Sequence, residues 1–406
     1  MTAPPESILP YFFKPVVARV RRVDVFEQDG VTVWDTDIPI IDGTITVDFS
    51  RSERRAIDLS IDNEGGYFSP IPNKMWYDKI IKVYTGIKYF DTSTLTFKTW
   101  TCQVGEFMID RISEPNFPPT VKVTGRDYAK KMLLSKFTQA TTFSAEARLT
   151  TIISSLAANA GIAVNKKIIP NSAVVLTSDA PFERGVSRWD AAKQLCEAYN
   201  FEIFFDASGN FVMREYNDPV LTASSFTFTV GTEGNLASFE RSVNDSRLFN
   251  HYLVTGESSD TIPVFAEAVN DNPMHPANRA EIGDRLAPIF TSPFITSEGQ
   301  AQDVANRLLA VSALQEYDLN FGALMVPWLD AGDIVTFKDI LKNDPTAPTK
   351  FLLSSIAIPL NLGPMSGNGK RVAIIGVSST PLNLPSTRPQ GASLGGYSDT
   401  YGASYG

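Results

Sequence analysis

The chain has 406 residues, 43% of them hydrophobic and 20% charged. That balance belongs to a globular protein of several domains and excludes a disordered or fibrous one. A formal net charge of -9 and a pI near 5.0 argue against a protein that grips nucleic-acid phosphates.

The two cysteines, Cys102 and Cys196, lie far apart and supply neither a disulfide framework nor a cysteine-based metal site. No run of about 18 apolar residues is available to span a membrane. The first residues, Met1 to Glu6, lack a basic stretch followed by an apolar run, so no secretory signal is read. The chain is expected to be made and folded in a cytoplasm.

Residues 1–125 read as an all-β module. Arg19 to Phe26 and Ile45 to Phe49 are short alternating runs, and Ile57, Leu59 and Ile61 mark the buried face of a third. Asp62-Asn63-Glu64-Gly65-Gly66 is a turn, followed by strands at Ile80 to Tyr84, Phe97 to Val104 and, after Gly105, Glu106 to Ile112. Many short strands between turn signals predict a barrel or sandwich.

A strand at Thr120 to Thr124 leads through Gly125 into a mixed module, 126–218. Asp127 is placed to offer its carboxylate to the open amides of a first helix running to Leu134. Leu149, Ile152, Ile153, Leu156, Ala157 and Ala160 fall on one face of a second helix, which Gly161 stops. Ser187 to Asp190 resembles a capping box opening a third helix, with Ala192, Leu195, Cys196 and Tyr199 on one face. Phe201 to Phe205 and Phe211 to Glu215 flank a glycine-containing loop and read as a hairpin.

Residues 219–377 return to strands, including His251 to Thr255 and Ile334 to Phe337, with one helix carrying Ala301, Val304, Ala305, Leu308 and Leu309 on a face and capped by Thr296 or Ser297. The last two strands, Phe351 to Ile358 and Arg371 to Val377, are expected to pair across a loop from Gly363 to Lys370. Residues 378–406, rich in Ser, Gly, Pro and Tyr, have too little apolar surface to order alone and read as a tail. The fold class is therefore α+β, mainly β: two β-barrel or sandwich domains, a mixed α/β insert between them, and a low-complexity C-terminal tail.

The search for chemistry is negative. His251 and His275 lie outside any metal-ligand spacing and read as structural or surface residues. Gly363 to Arg371 superficially resembles a phosphate loop, but Pro364 stands where a glycine belongs and Arg371 replaces the magnesium-binding hydroxyl. Asp35, Asp37 and Asp42 lack the register of a calcium loop, and no Gly-x-Ser-x-Gly elbow is present. No catalytic, cofactor or metal residue is assigned and no enzyme is expected. Arg51, Arg54 and Arg55 form a basic spot in an acidic chain, either a solvated strand end or a docking contact for an acidic partner. Trp76, Tyr77, Tyr89 and Phe90 read as core or interface before sugar platforms.

The order of motifs resembles the tail hub, or baseplate hub, proteins of tailed bacteriophages, most closely those of long non-contractile tails. The resemblance runs through Ile41 to Asp48 with the basic patch after it, Asp62 to Pro70, Val104 to Asp110 and Val121 to Leu134. It continues through the helix-hairpin from Trp189 to Glu215, the strand from Asn250 to Gly256, and Leu329 to Phe337. It covers nearly all of residues 19–377 and leaves out the tail.

Such a resemblance implies a scaffold without catalytic residues or cofactors. It implies a homotrimer whose two tube-like β domains per chain make six similar barrels around a DNA channel, matching a six-fold tail tube. The implied partners are the tail tube, distal tail and tape measure proteins and a central fibre or spike, without specific nucleic-acid binding. The implied location is the tail tip or baseplate of a virion assembled in the host cytoplasm, with a role in DNA ejection. Arg51, Arg54, Arg55, Tyr397, Tyr401 and Tyr405 are the candidate interface residues. The alternative is a glycan-binding or cell-wall-degrading tail-tip protein, motivated by the aromatic content and excess acids.

Overall fold

A computed structural model describes residues 3–13, 18–71, 75–91, 93–115, 119–216, 219, 221–231, 234–242, 248–256, 264–273, 275, 277–313, 318–338 and 349–372. The stretch 378–406, with Tyr397, Tyr401 and Tyr405, lies outside the described residues.

Seven strands come first: β1 (Ala18–Phe26), β2 (Val33–Asp35), β3 (Ile40–Asp48), β4 (Arg55–Asp62), β5 (Ile80–Asp91), β6 (Thr96–Ser113) and β7 (Thr120–Arg126). A mixed run follows: α1 (Ala129–Leu134), β8 (Thr141–Phe143), α2 (Leu149–Asn159), β9 (Lys167–Ile168), β10 (Ala180–Phe182), α3 (Arg188–Ala198), β11 (Phe201–Phe205) and β12 (Phe211–Glu215). The remainder is β13 (Phe226–Thr229), β14 (Leu236–Ser242), β15 (His251–Gly256), β16 (Phe265–Val269), α4 (Arg279–Ile282), β17 (Phe290–Ser292), α5 (Glu298–Ala313), β18 (Asp318–Ala323), β19 (Ile334–Lys338), β20 (Thr349–Pro359) and β21 (Met365–Arg371). The molecule is α+β and mainly β.

Period-two alternation makes the strands. In β4, Ile57, Leu59 and Ile61 are buried while Asp58 and Asp62 are exposed. Among the described residues, thirteen strands join into one sheet in the order β14-β18-β21-β20-β3-β4-β7-β6-β5-β1-β2, with β13 on β19 and β19 on β20. The seam is β20. Its first half pairs with β19 (Ile334 opposite Leu352) and its second half with β3 (Ile358 opposite Ile45), so strands from the start and the end of the chain share one ladder. They also share one apolar core, in which Ile45, Leu59 and Val123 join Phe228, Phe321 and Ile358.

A second core lies outside the sheet. The apolar faces of α2 and α3 pack there with Phe201, Ile203 and Phe205 of β11. Segments from later in the chain complete it: Val254 of β15, Ala266 and Ala268 of β16, and Ala301, Val304, Ala305 and Leu309 of α5. The helix signals hold locally. Leu149, Ile152, Ile153, Leu156, Ala157 and Ala160 are all buried, and Gly161 ends the helix at φ +82°. Ser187 Oγ accepts the Asp190 amide at 3.0 Å, and Ser297 Oγ accepts the Gln300 amide at 3.3 Å.

Two local readings change. Gly105 does not divide two strands: β6 runs unbroken through it, and the register against β5 slips at Val104, a bulge beside the ring of Phe107. The last hairpin pairs β20 with Met365–Arg371, the stretch expected to be its loop, with Phe351 opposite Arg371 and Ala357 opposite Ser366. Glycine content explains the difference. A Cβ at Gly367 would stand 2.7 Å from the Phe321 ring and one at Gly369 3.2 Å from Phe351, so neighbouring aromatics fill the space that the missing side chains leave. The expected partner strand beyond Val372 lies outside the described residues.

Truncating Ile153 or Leu156 to Ala removes core volume that α2 cannot refill. Each is expected to cost about 2–5 kcal/mol, read from urea unfolding.

Candidate functional site: a charged junction and open sheet edges

The β3–β4 turn delivers Arg54 and Arg55 to the boundary between the two cores. Of the three arginines expected at the surface, only Arg51 is there: its side chain is 65% exposed and bonds Asp48. Arg54 and Arg55 are buried, and their acidic partners belong to the same chain. Arg54 reaches Glu202 of β11 at 3.1 Å, and the other Glu202 oxygen takes Arg214 of β12. The Arg54 guanidinium lies 3.9 Å from the Phe204 ring centre and 4.9 Å from that of Phe49, and Arg214 covers Phe204 at 4.9 Å. Arg55 forks onto both oxygens of Asp330, just before β19. Burial lowers the pKa of Arg54, opposed by Glu202 and then Asp330.

A second buried carboxylate lies at the far end of the β11–β12 hairpin. Glu106 of β6 accepts the Tyr128 hydroxyl at 2.8 Å and Lys166 at 3.1 Å, with Lys82 at 3.6 Å. Gln103 and Lys166 also bond the Ala207 and Ser208 carbonyls of the hairpin loop. Gly209 turns at φ +70°, where a Cβ would meet Tyr128 at 2.9 Å and Glu106 at 3.0 Å. Burial and the Glu106 carboxylate raise the pKa of the Tyr128 hydroxyl well above its ordinary value, which keeps it a donor.

Between these clusters sits Asp127, fully enclosed. It accepts the Ala129 amide at 3.0 Å, one residue before the N-cap position of α1, which is Tyr128, and the Arg55 amide at 2.9 Å. Burial pushes its carboxyl up to about 7 against the pull of those two N–H groups.

At one end of the sheet, β14 is exposed along most of its length. Its Phe239 shares a face with buried Phe321 yet is 39% exposed. Among the described residues no strand lies beyond it. At the other end, β2 pairs with β1 only at Val25 and Phe26, with Val31 and Val33 exposed beside it. The tip of the β5–β6 ribbon exposes Leu95 and sets Phe90 and Phe97 5.3 Å apart. Across β14, β18, β21, β20 and β3 the outer face is a trough of about 470 Å³ lined by Thr46, Ser238, Glu240, Asn320, Ser355 and Asn368.

The remaining candidates scatter. His251 contacts Asp284 at 2.9 Å and Glu267 at 3.4 Å through opposite ring nitrogens, and buried His275 accepts the Ala277 amide. Trp76 and Tyr77 are exposed and edge to face, and Tyr89 packs on Tyr11. Among the described residues no group of three or more His, Cys, Asp or Glu side chains gathers as an ion site. The residues that sequence reasoning missed are Glu106 and Glu202. Glu202 is a lone carboxylate inside the apolar strand β11, and that placement was the available signal; Glu106 is flanked by Val104 and Phe107 but shares β6 with Asp110.

No protein-family model and no curated protein matches the chain. Solved structures do. The tail protein from Neisseria meningitidis MC58 matches at TM-score 0.60 and 13% identity, over 86% of this chain and 96% of that one. The prophage MuSo2 43 kDa tail protein from Shewanella oneidensis matches at 0.59 and 14%, over 86% and 98%. Prophage tail protein gp18 from Listeria monocytogenes EGD-e matches at 0.51 and 10%, over 86% and 94%. The chain shares the fold of these tail proteins.

Arg54→Ala takes one of two guanidinium partners from the buried Glu202 carboxylate and is expected to cost about 3 kcal/mol in urea unfolding, while Arg51→Ala stays within about 0.5 kcal/mol. Asp127 sets a pH dependence. Its folded value, about 7, exceeds the reference 3.8, so the stability it carries is complete below the reference value and lost as pH rises through the folded one. Urea midpoints of wild type relative to Asp127→Asn should therefore fall as pH climbs across that window.

Proposed function

We propose that the chain is the structural hub of a bacteriophage tail tip, three copies closing into a ring that joins the six-fold tail tube to distal parts and surrounds the DNA channel. The observation that carries this reading is a tail-protein fold along 86% of the chain, combined with a sheet that, among the described residues, ends in an exposed strand. Exposed edges invite pairing, and a head-to-tail contact between β14 of one copy and the β1–β2 end of the next closes by rotation. Phe239, on the core-side face of the edge strand, would be covered by that contact.

The lining of the outer face also supports it. Among the described residues that line the trough across β14, β18, β21, β20 and β3 there is no Lys or Arg, and one acid, Glu240. Such a wall repels phosphates instead of holding them, and DNA slides past it. The role is non-enzymatic and the location is the virion tail tip. The tail tube, distal tail and tape measure proteins and a central fibre or spike are the expected neighbours, and the arginine expected to meet one of them is Arg51. Tyr397, Tyr401 and Tyr405 remain proposed contacts for the same neighbours.

Native mass measurement of the purified chain, with or without tail tube protein, is expected to find trimers. Phe239→Lys should leave monomers with unchanged circular dichroism. A stable wild-type monomer that is absent from tails would overturn the assignment.

A further inference from the structure

The two bodies of the molecule meet through charge. Their buried apolar side chains form separate clusters, one around the sheet and one around α2, α3 and α5, with a small third of Ile334, Leu352 and Val372. Phe204 is buried but belongs to none of them, because its ring is taken by Arg54 and Arg214. Among the described residues the boundary is crossed by Arg54 to Glu202, Lys166 and Tyr128 to Glu106, Gln103 to the Ala207 carbonyl, and Lys130 to Asp110 at 2.6 Å and to the Ile109 carbonyl. A cavity of about 100 Å³ opens beside Glu202, lined by Phe49, Arg214, Tyr216, Gly332 and Asp333, so the boundary is also loosely filled.

Polar boundaries between bodies of one chain permit relative motion, whereas large apolar ones do not. Buried ion pairs set one geometry more than they add net stability, since desolvation offsets most of their attraction. The chain passes between the bodies at Arg126–Asp127, then between β12 and β13, β14 and β15, and α5 and β18. Only the first passage is immediate. Asp127 stands there, bonded to the amide of Arg55, while its neighbour Tyr128 reaches Glu106. The two carboxylates therefore act on either side of one fixed point. They hold the two ends of the β11–β12 hairpin, ~15 Å apart by strand rise.

We infer that Glu202 and Glu106 form a two-ended latch, and that the α2–α3–α5 body rocks against the sheet about Arg126–Asp127 when the latch opens, with both cores intact. The latch does not depend on the assembly reading: it would operate in an isolated chain or in a ring.

The test uses the full chain with bio-orthogonal spin labels at exposed positions 122 and 194, one on each body, diluted with excess unlabelled chain so that only distances within one copy are read by pulsed dipolar measurement. Wild type should give one narrow distance. Glu106→Gln combined with Glu202→Gln should broaden it or add a second, longer population, while slow hydrogen exchange persists in β4, β20, α2 and α3. An unchanged distribution in the double variant overturns the latch. Loss of slow exchange in either core also overturns it, because the carboxylates would then be holding the fold itself.

Discussion

Two adjacent arginines buried at the start of one strand are the constraint on which this architecture depends. A guanidinium cannot shed its charge, so each must find a carboxylate inside the molecule. Arg54 finds Glu202, 148 positions away, and Arg55 finds Asp330, 275 positions away. One turn thereby registers three distant parts of the chain: the early strands, the hairpin of the mixed body, and the loop that opens β19. Aromatic rings close the arrangement, with Phe49 and Phe204 on either side of Arg54. An apolar contact in the same place would tolerate sliding by a residue. Forked, stacked ion pairs do not.

The same constraint shows why the two bodies interleave in sequence but not in packing. The sheet takes its strands from both ends of the chain, and the second core takes β15, β16 and α5 from a stretch lying between sheet strands. The chain can leave and re-enter each body because the boundary is polar and each core closes on itself. The fold is shared with solved tail proteins at 10–14% identity, so it does not depend on most side-chain identities.

Much of the local structure was legible because it rests on near neighbours. The α2 face, the Ser187 cap and the β11–β12 hairpin each follow from residues within one or two turns of one another. The α+β, mainly β class followed from the same signals. What could not be read depends on contacts remote in sequence. Arg54 and Arg55 looked like surface because charge usually is, and only tertiary partners reverse that rule. Gly367 and Gly369 looked like a loop because glycine usually marks one, and only Phe321 and Phe351, lying across the sheet, make them strand. Glu202 carried a weak signal, a single acid among apolar strand residues, that became meaningful once the opposing cations were in place.

The seam at β20 has a consequence for biosynthesis. The ladder partner of β3 is made about 300 residues after β3 itself, an interval of roughly 15–60 s on a ribosome. Throughout that time the nascent chain holds a bare strand edge, and the early strands cannot seal their core. Completion of the sheet thus waits for β20, and pairing over so long a separation is slow. A cell that makes this chain in quantity must shield that edge until β20 emerges.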